Sequence, residues 1–252
     1  MHWSSDAIII GARPHGETSA IVEVFARSHG RWRGLARGGL SRRMRPVLQP
    51  GNVVSLTWRA RLEDQLGHFA IEPRRLAAGR LMGDPLALAG LSALMGQLHF
   101  LPEREPHPAL HDAAMLILEH LEERGIWPAL LARFELRLLA DLGFGLDLSA
   151  CAATGQRHDL AWVSPRSGRA VCAAAGEPYR GRLFPLPAFL LIPGAPAPEA
   201  QDVLAALNLT GYFLHRRICA PRGLCLPLER QWILDHLKAQ AASAADNQQE
   251  TP

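Results

Sequence analysis

At 252 residues, with 48% hydrophobic and 20% charged side chains, the chain has ordinary globular composition and can bury one large core or two small ones. No apolar run approaches the ~20 residues that span a bilayer, and the opening MHWSSDAIII sets an acid before a very short apolar run, so neither a membrane span nor a secretory leader is expected. The net charge of +3 is unevenly placed: residues 1–80 hold thirteen arginines against six acids, and the remainder is net acidic, which marks the N-terminal part as the one facing a polyanion.

Residues 4–74 read as a small all-β unit. Asp6 to Arg13 forms a first strand, with Ala7-Ile8-Ile9-Ile10 buried on both faces. His15-Gly16 turns into a second strand, Thr18 to Arg27, and His29-Gly30 turns into a third. Pro50-Gly51-Asn52 opens a fourth, Val53 to Arg59, and Leu66 to Glu72 supplies the fifth. Five short strands with a longer third-to-fourth connection fit an OB-type barrel, although strand count alone does not separate it from an SH3-like one.

The third strand lies in the most basic stretch, RWRGLARGGLSRRMR, in which six of fifteen residues are arginine and none is acidic. Alternation throws Arg31, Arg33 and Arg37 toward one face, and Gly38-Gly39 begins a mobile turn carrying Arg42, Arg43 and Arg45. Arg59 and Arg61 extend the candidate surface from the fourth strand. Guanidinium groups at that density suit a phosphate backbone, since each contact releases condensed counterions. A solvated charged face is the plainer alternative. Trp32, Trp58 and Phe69 fall on the strands, where they either stack bases or fill the core.

Beyond about Arg75 the periodicity turns helical. Asp84-Pro85 caps a leucine-rich helix to about Leu98, Pro108 opens a second that ends near Gly125, and Pro128 opens a third closed by Gly143. The third carries Leu130, Leu131, Phe134, Leu138 and Leu139 as a stripe. Further helices are predicted over Glu199 to Arg217 and Leu228 to Lys238, and the tail from residue 239, with no apolar face, is expected to be disordered. The expected domains are thus 1–79, 80–238 and a tail over 239–252.

Within the helical part, residues 149–180 form an insert with a β-hairpin, DLAWV-SPRSG-RAVC, flanked by CAATG and CAAAG. That is the shape of a zinc ribbon with two CxxCG knuckles, but Thr154 and Ala175 stand where the second cysteines belong. Cys151 and Cys172 alone do not make a tetrahedral site, so no metal and no other cofactor is expected. Four cysteines without a leader fit a reducing cytoplasm. His107 and His111 share a helix face with no carboxylate in register and read as surface or capping residues. No phosphate-cradling Gly-rich loop, HExxH or GxSxG is present, and no set of residues assembles an active site, so the chain is not expected to be an enzyme.

RPHGETSAIVEVFARSHGR running into the arginine strand, LQPGNVVSLTWRAR, ARFELRLLADLGFGLDLSACAATG and SPRSGRAV occur in an order that resembles the RecO family of bacterial recombination mediators. The resemblance covers almost the whole chain apart from the tail. It implies an α+β multidomain protein: an N-terminal OB-fold barrel that binds DNA, then a helical partner-docking domain with a degenerate zinc-ribbon-like hairpin insert. It further implies annealing of complementary strands and loading of RecA onto SSB-coated single strands with RecR, in the cytoplasm at the nucleoid. Many relatives carry all four knuckle cysteines, and this chain departs from them at Thr154 and Ala175. The SSB tail is acidic and ends on an apolar residue with a free carboxylate. It is expected to dock on the helical domain at Arg133, Arg137 and Phe134 of the third helix and at Arg216 and Arg217. The competing functions are an adaptor whose basic face binds an acidic protein segment and, behind it, a nucleic-acid enzyme.

Overall fold

The computed structural model describes residues 1–192, 194 and 196–249, which divide into two compact units, Met1–Arg124 and Gly125 onward. The first unit is built on strands β1 (His2–His15), β2 (Ser19–Ala26), β3 (Gly30–Ala36), β4 (Val53–Arg59) and β5 (His68–Arg75). They close as a barrel in the order β1-β2-β3-β5-β4. All pairs are antiparallel except β3 with β5, where Leu35 faces His68 and Ala36 faces Phe69. That crossover is what distinguishes an OB-type barrel from other five-stranded ones. The long β1 serves both neighbours. His2–Ile8 pairs with β4, Ala7–His15 pairs with β2, and an irregularity between Ile9 and Gly11 bends the strand between them.

Alternation along the strands fills the barrel with Ala7, Ile9, Val22, Val24, Val54, Leu56 and the aromatics Trp32, Trp58 and Phe69. The strand aromatics are therefore core. Gly34 of β3 makes room for one of them, since a Cβ there would stand 2.7 Å from the Phe69 ring. On the outer face, Phe25 is also fully buried and meets the His111 ring at 5.5 Å. This is why the apolar run at Ala7–Ile10 is buried on both sides.

Helices α1 (Pro85–Leu98) and α2 (Pro108–His120) belong to this first compact unit. The change from strand to helix near residue 80 is thus a change of secondary structure inside a unit that continues to Arg124. Asp84 starts α1 by accepting from Leu86 N at 3.0 Å and Ala87 N at 3.3 Å. The same carboxylate receives the Arg124 guanidinium at 3.1 Å, which, aided by those backbone bonds, holds its pKa below the usual range. Of the surface or capping roles predicted for His107 and His111, the surface one does not hold, since both are buried, and His107 stands at the N-cap of α2 without a side-chain capping bond. Their helix face is the one that α2 turns inward, alongside Leu110 and Ala114.

The second unit contains α3 (Trp127–Asp141), a hairpin β6 (Leu160–Val163) and β7 (Ala170–Cys172), a one-turn α4 (Ala173–Gly176), β8 (Phe184–Pro185), α5 (Ala200–Leu214) and α6 (Leu228–Gln249). The hairpin forms as predicted, and β8 adds to the outer side of β6. At its centre Glu135 of α3, fully buried, receives Arg230 of α6 in a two-pronged ion pair at 2.7 and 2.9 Å. Thr210 of α5 also donates to that carboxylate, and Arg230 donates to Leu207 O. Gly211 leaves the space, since a Cβ there would land on the guanidinium.

The predicted disorder from residue 239 is not what the structure shows up to Gln249. Helix α6 continues because residues such as Ala239, Ala241 and Ala242 favour helix without any apolar face. Residues 250–252 lie outside the described residues.

Candidate nucleic-acid interface

The six arginines of the basic stretch separate into two groups. On β3, Arg31 and Arg33 point outward while Trp32 and Gly34 point in, as alternation predicts. These two arginines are met by carboxylates from elsewhere in the chain. Arg31 pairs with Glu23 of β2 at 2.9 Å, and Glu103, in the segment between α1 and α2, pairs closely with Arg33 and lies 3.8 Å from Arg31. The Arg31 side chain keeps only 15% of its exposure against 43% for Arg33. Arg31 is therefore a structural cation, whereas Arg33 can exchange a weakly held surface carboxylate for a phosphate. The acid-free stretch read from the sequence has its counterions 8 and 70 residues away.

Arg37, past the end of β3, reaches His68 Nε2 at 3.2 Å. Arg42, Arg43 and Arg45 lie on a segment that differs from the mobile turn predicted. The Ser41 carbonyl accepts from Met44 and Arg45, and the Met44 carbonyl accepts from Val47 and Leu48. Val47 and Leu48 plug into the barrel core, with Leu40 and Met44 packed beside them. Buried Asn52 clamps the end of the segment through Pro46 O at 2.8 Å and Val47 O at 3.1 Å. The apolar side of this turn faces in, so its three arginines face out, exposed and without an ion pair among the described residues.

Arg59 and Arg61 are also exposed. Arg59 sits in register with His2 on one side and His68 on the other, so His2, Arg59 and His68 form a row across β1, β4 and β5 that Arg37 extends. One residue further along each strand, Trp3, Trp58 and Phe69 form the matching inward row. Arg13 was not singled out in the sequence because it stands alone there. In the fold it joins Arg45 in lining a groove of about 340 Å³ over Gly11, Ala12, Gly39 and Leu40.

The residues expected to dock a partner are dispersed over the second unit. Phe134 keeps 1% of its exposure and is core, as are Leu131, Leu138 and Leu139, so the α3 stripe offers no apolar docking face. The stripe packs toward the unit's interior because α3 and α5 are neighbours there. Arg133 spends its fork on Phe189 O at 3.1 and 2.7 Å, and Arg137 pairs with Asp141 at 2.6 Å. Arg216 and Arg217 lie on a π-helical turn, His215–Cys219, that follows α5. Arg216 donates to Pro165 O at 2.9 Å and to the Tyr212 hydroxyl at 2.6 Å, with its guanidinium 5.8 Å from the Tyr212 ring. Tyr212 also lines a groove of about 550 Å³ with Phe184, Pro185, Leu204 and Ala205.

At the knuckle, Cys151 and Cys172 are both buried, and Cys172 N donates to Cys151 Sγ at 3.2 Å. Thr154 stands in the place of the third ligand, its hydroxyl 3.8 Å from Cys172 Sγ, and Ala175 offers no donor atom. Two thiols and a hydroxyl do not fit a structural zinc, and among the described residues no three His, Cys, Asp or Glu side chains gather to hold a metal. The turn still cradles sulfur. Burial opposes the Cys151 thiolate, but the Thr154 hydroxyl and the N–H groups of Cys172, Thr154 and Ala153 outweigh it, lowering the pKa from 9.0 to about 6.

A closed OB-type barrel with exposed arginines that have no ion pair among the described residues, followed by a helical unit with a vestigial knuckle, defines an OB-fold protein, a class whose barrels bind oligonucleotides or oligosaccharides. The family described as "Recombination protein O N terminal" matches residues 1–73, and "Recombination protein O C terminal" matches residues 82–223. The chain is 56% identical over 235 residues to the DNA repair protein RecO of Methylobacterium nodulans, covering 92% of this chain and 96% of that one. It is 54% identical over 244 residues to the protein of that name from Xanthobacter autotrophicus, covering 97% and 100%, and 53% over 235 residues to that of Methylorubrum extorquens, covering 91% and 96%. The chain belongs to the RecO family, and it is a DNA repair and recombination protein of that family. No helix among the described residues is long and apolar enough to cross a membrane.

Proposed function

We propose that this protein is a recombination mediator that binds single- and double-stranded DNA with little sequence preference. In this role it anneals complementary strands and, with RecR, helps load RecA onto SSB-coated single strands in the cytoplasm, without catalysing a covalent step. The observation that carries the proposal is the set of exposed arginines Arg42, Arg43 and Arg45, without an ion pair among the described residues, on an anchored turn of the OB barrel. Arg13 on β1, Arg59 at the end of β4 and Arg61 just beyond it add to them. Cations held this way neutralise phosphates without reading base edges. Two strands so neutralised lose their mutual repulsion and can pair, which needs no acid, base or nucleophile. For the SSB tail, the groove on α5 combines an apolar floor with Arg216 beside Tyr212, which suits an acidic peptide ending on an apolar residue.

One observation favours the alternative adaptor function: Glu103 already occupies Arg33, so this face accepts a protein carboxylate. Titration of naked single- and double-stranded oligonucleotides of unrelated sequence at two salt concentrations separates the two. The mediator binds both kinds of DNA, more weakly at the higher salt. An adaptor leaves naked DNA unbound.

A further inference from the structure

On the outer face of the barrel a groove of about 330 Å³ crosses β1, β2 and β3, lined by Gly11, Ala12, Arg13, Ile21, Glu23 and Arg33. Two rows across those strands shape it. Gly11, Glu23 and Arg33 stand in register in one, and Arg13, Ile21 and Leu35 in the next. The space over Gly11 is open, since a Cβ there would meet nothing within 4 Å. Arg13 is exposed, with no ion pair among the described residues, and the Arg33 side chain keeps 43% of its exposure. The acid inside the groove is already neutralised: Glu23 pairs with Arg31 at 2.9 Å and lies 3.7 Å from His99 Nε2. What remains is cationic, with its two guanidinium groups carried by strands two spacings, roughly 10 Å, apart.

Glu103 reaches this groove from the segment between α1 and α2, where it pairs closely with Arg33 and lies 3.8 Å from Arg31. Water reaches both partners, since the Glu103 side chain is 32% exposed, and pairs exposed in this way contribute little. The backbone that carries Glu103 does not depend on the pair. Arg104 N donates to Arg31 O at 2.8 Å, and the Arg104 guanidinium donates to the carbonyls of Glu63 and Asp64 at 2.6 and 3.2 Å. The carboxylate can therefore swing away while its segment stays docked on β3. An acid held so lightly on a groove arginine occupies the place of an anion from outside.

We propose that this groove is a second phosphate site for a DNA strand and that Glu103 masks it in the free protein, an inference that rests on the DNA-binding function proposed above. Binding exchanges one anion for another: the Arg33 guanidinium leaves the Glu103 carboxylate for a phosphate oxygen, and Arg13 takes a further phosphate across the groove. A strand suits the site better than a lone carboxylate does, because it brings anions in series to both arginines, and guanidinium forks match phosphate oxygens. The exchange gives up the Glu103 pair, so Glu103 lowers affinity without touching the strand. The Arg42, Arg43 and Arg45 turn needs no such unmasking.

The test titrates a labelled thymidine oligonucleotide with the full-length protein and with its Glu103→Gln variant, which keeps the side chain's size and removes its charge. The variant should bind about two- to fivefold more tightly, the range set by loss of an exposed competing ion pair. That gain should vanish in an Arg33→Ala background, where Glu103 has no groove arginine to mask. Glu122→Gln is the control for bulk charge. Glu122 is exposed in the same compact unit with no ion pair among the described residues, so its replacement adds the same net charge and should leave affinity unchanged. A Glu103→Gln protein that binds no more tightly than wild type overturns the masking and leaves the DNA-binding function standing. A gain that survives Arg33→Ala, or that Glu122→Gln matches, also overturns it. Tighter binding of a polyglutamate chain but not of DNA would give the groove to a protein acid and overturn the phosphate site. If wild type binds no DNA, the function and the site fall together. Melting curves check each fold. Should Arg33→Ala not fold, Glu103→Asp, one methylene shorter, replaces it: an intermediate gain supports the masking, and no gain overturns it.

Discussion

Replacing Arg42, Arg43 and Arg45 together with alanine removes three exposed guanidinium groups that have no ion pair among the described residues, from a turn whose anchors are Val47, Leu48 and Asn52. Because the anchors stay, stability should change by no more than about 0.5 kcal/mol per exposed site. If each arginine neutralises one phosphate, the logarithmic salt slope of binding should flatten by about 2 on single strands and about 2.7 on duplex. The loss should be nearly the same for unrelated sequences, since phosphates carry no sequence information. Fluorescence anisotropy across a salt series reads the slope directly. Arg31→Ala is the contrasting variant. It leaves Glu23, whose side chain is 18% exposed, without its close partner, so it should lower stability by about 1–3 kcal/mol while affecting the salt slope little. A triple variant with the wild-type slope would refute the assignment of this turn to DNA. So would an Arg31→Ala protein that folds normally and loses salt dependence as the triple variant should.

The buried pair gives a stability test: Glu135→Gln or Arg230→Met leaves one partner charged inside the unit, and denaturant titration should show a loss of about 3–5 kcal/mol, whereas an unchanged midpoint would contradict the geometry. Because the folded pKa of Cys151 lies below its usual 9.0, ionisation favours the folded state. That contribution is complete above pH 9 and is lost as pH falls through about 6, so thiolate absorbance should show one transition near pH 6 that Thr154→Val moves upward. The same preparation should carry well under one zinc per chain, and a stoichiometric metal signal would overturn the argument from the donor set. Arg216→Glu should weaken binding of an SSB-tail peptide while leaving naked-DNA affinity nearly intact, and equal loss of both would place DNA on the second unit as well.

How much was legible from the chain depends on how far apart the partners lie. The strand Val53–Arg59 and the Asp84-Pro85 helix start appear where the sequence predicts them, because alternation and capping act within a few residues. The OB topology needed the β3–β5 pairing, a contact between segments that local pattern does not report. The pairing of Arg33 depended on Glu103, 70 residues on, and the fate of Glu135 depended on Arg230, 95 residues on. Neither pairing leaves a signal in local spacing. Phe134 shows the limit of a stripe argument: helical periodicity says that one face is apolar, and only the neighbouring helix says whether that face is covered.

In the proposed mechanism, loosely held phosphates allow two strands to meet. Its most direct test is the rate at which complementary oligonucleotides coated with SSB anneal, with and without this protein, under conditions where naked strands bind. Wild type should accelerate annealing markedly, and the Arg42, Arg43 and Arg45 triple alanine variant should do so little. Annealing no faster than with SSB alone, by a protein that nevertheless binds both strands, would contradict it.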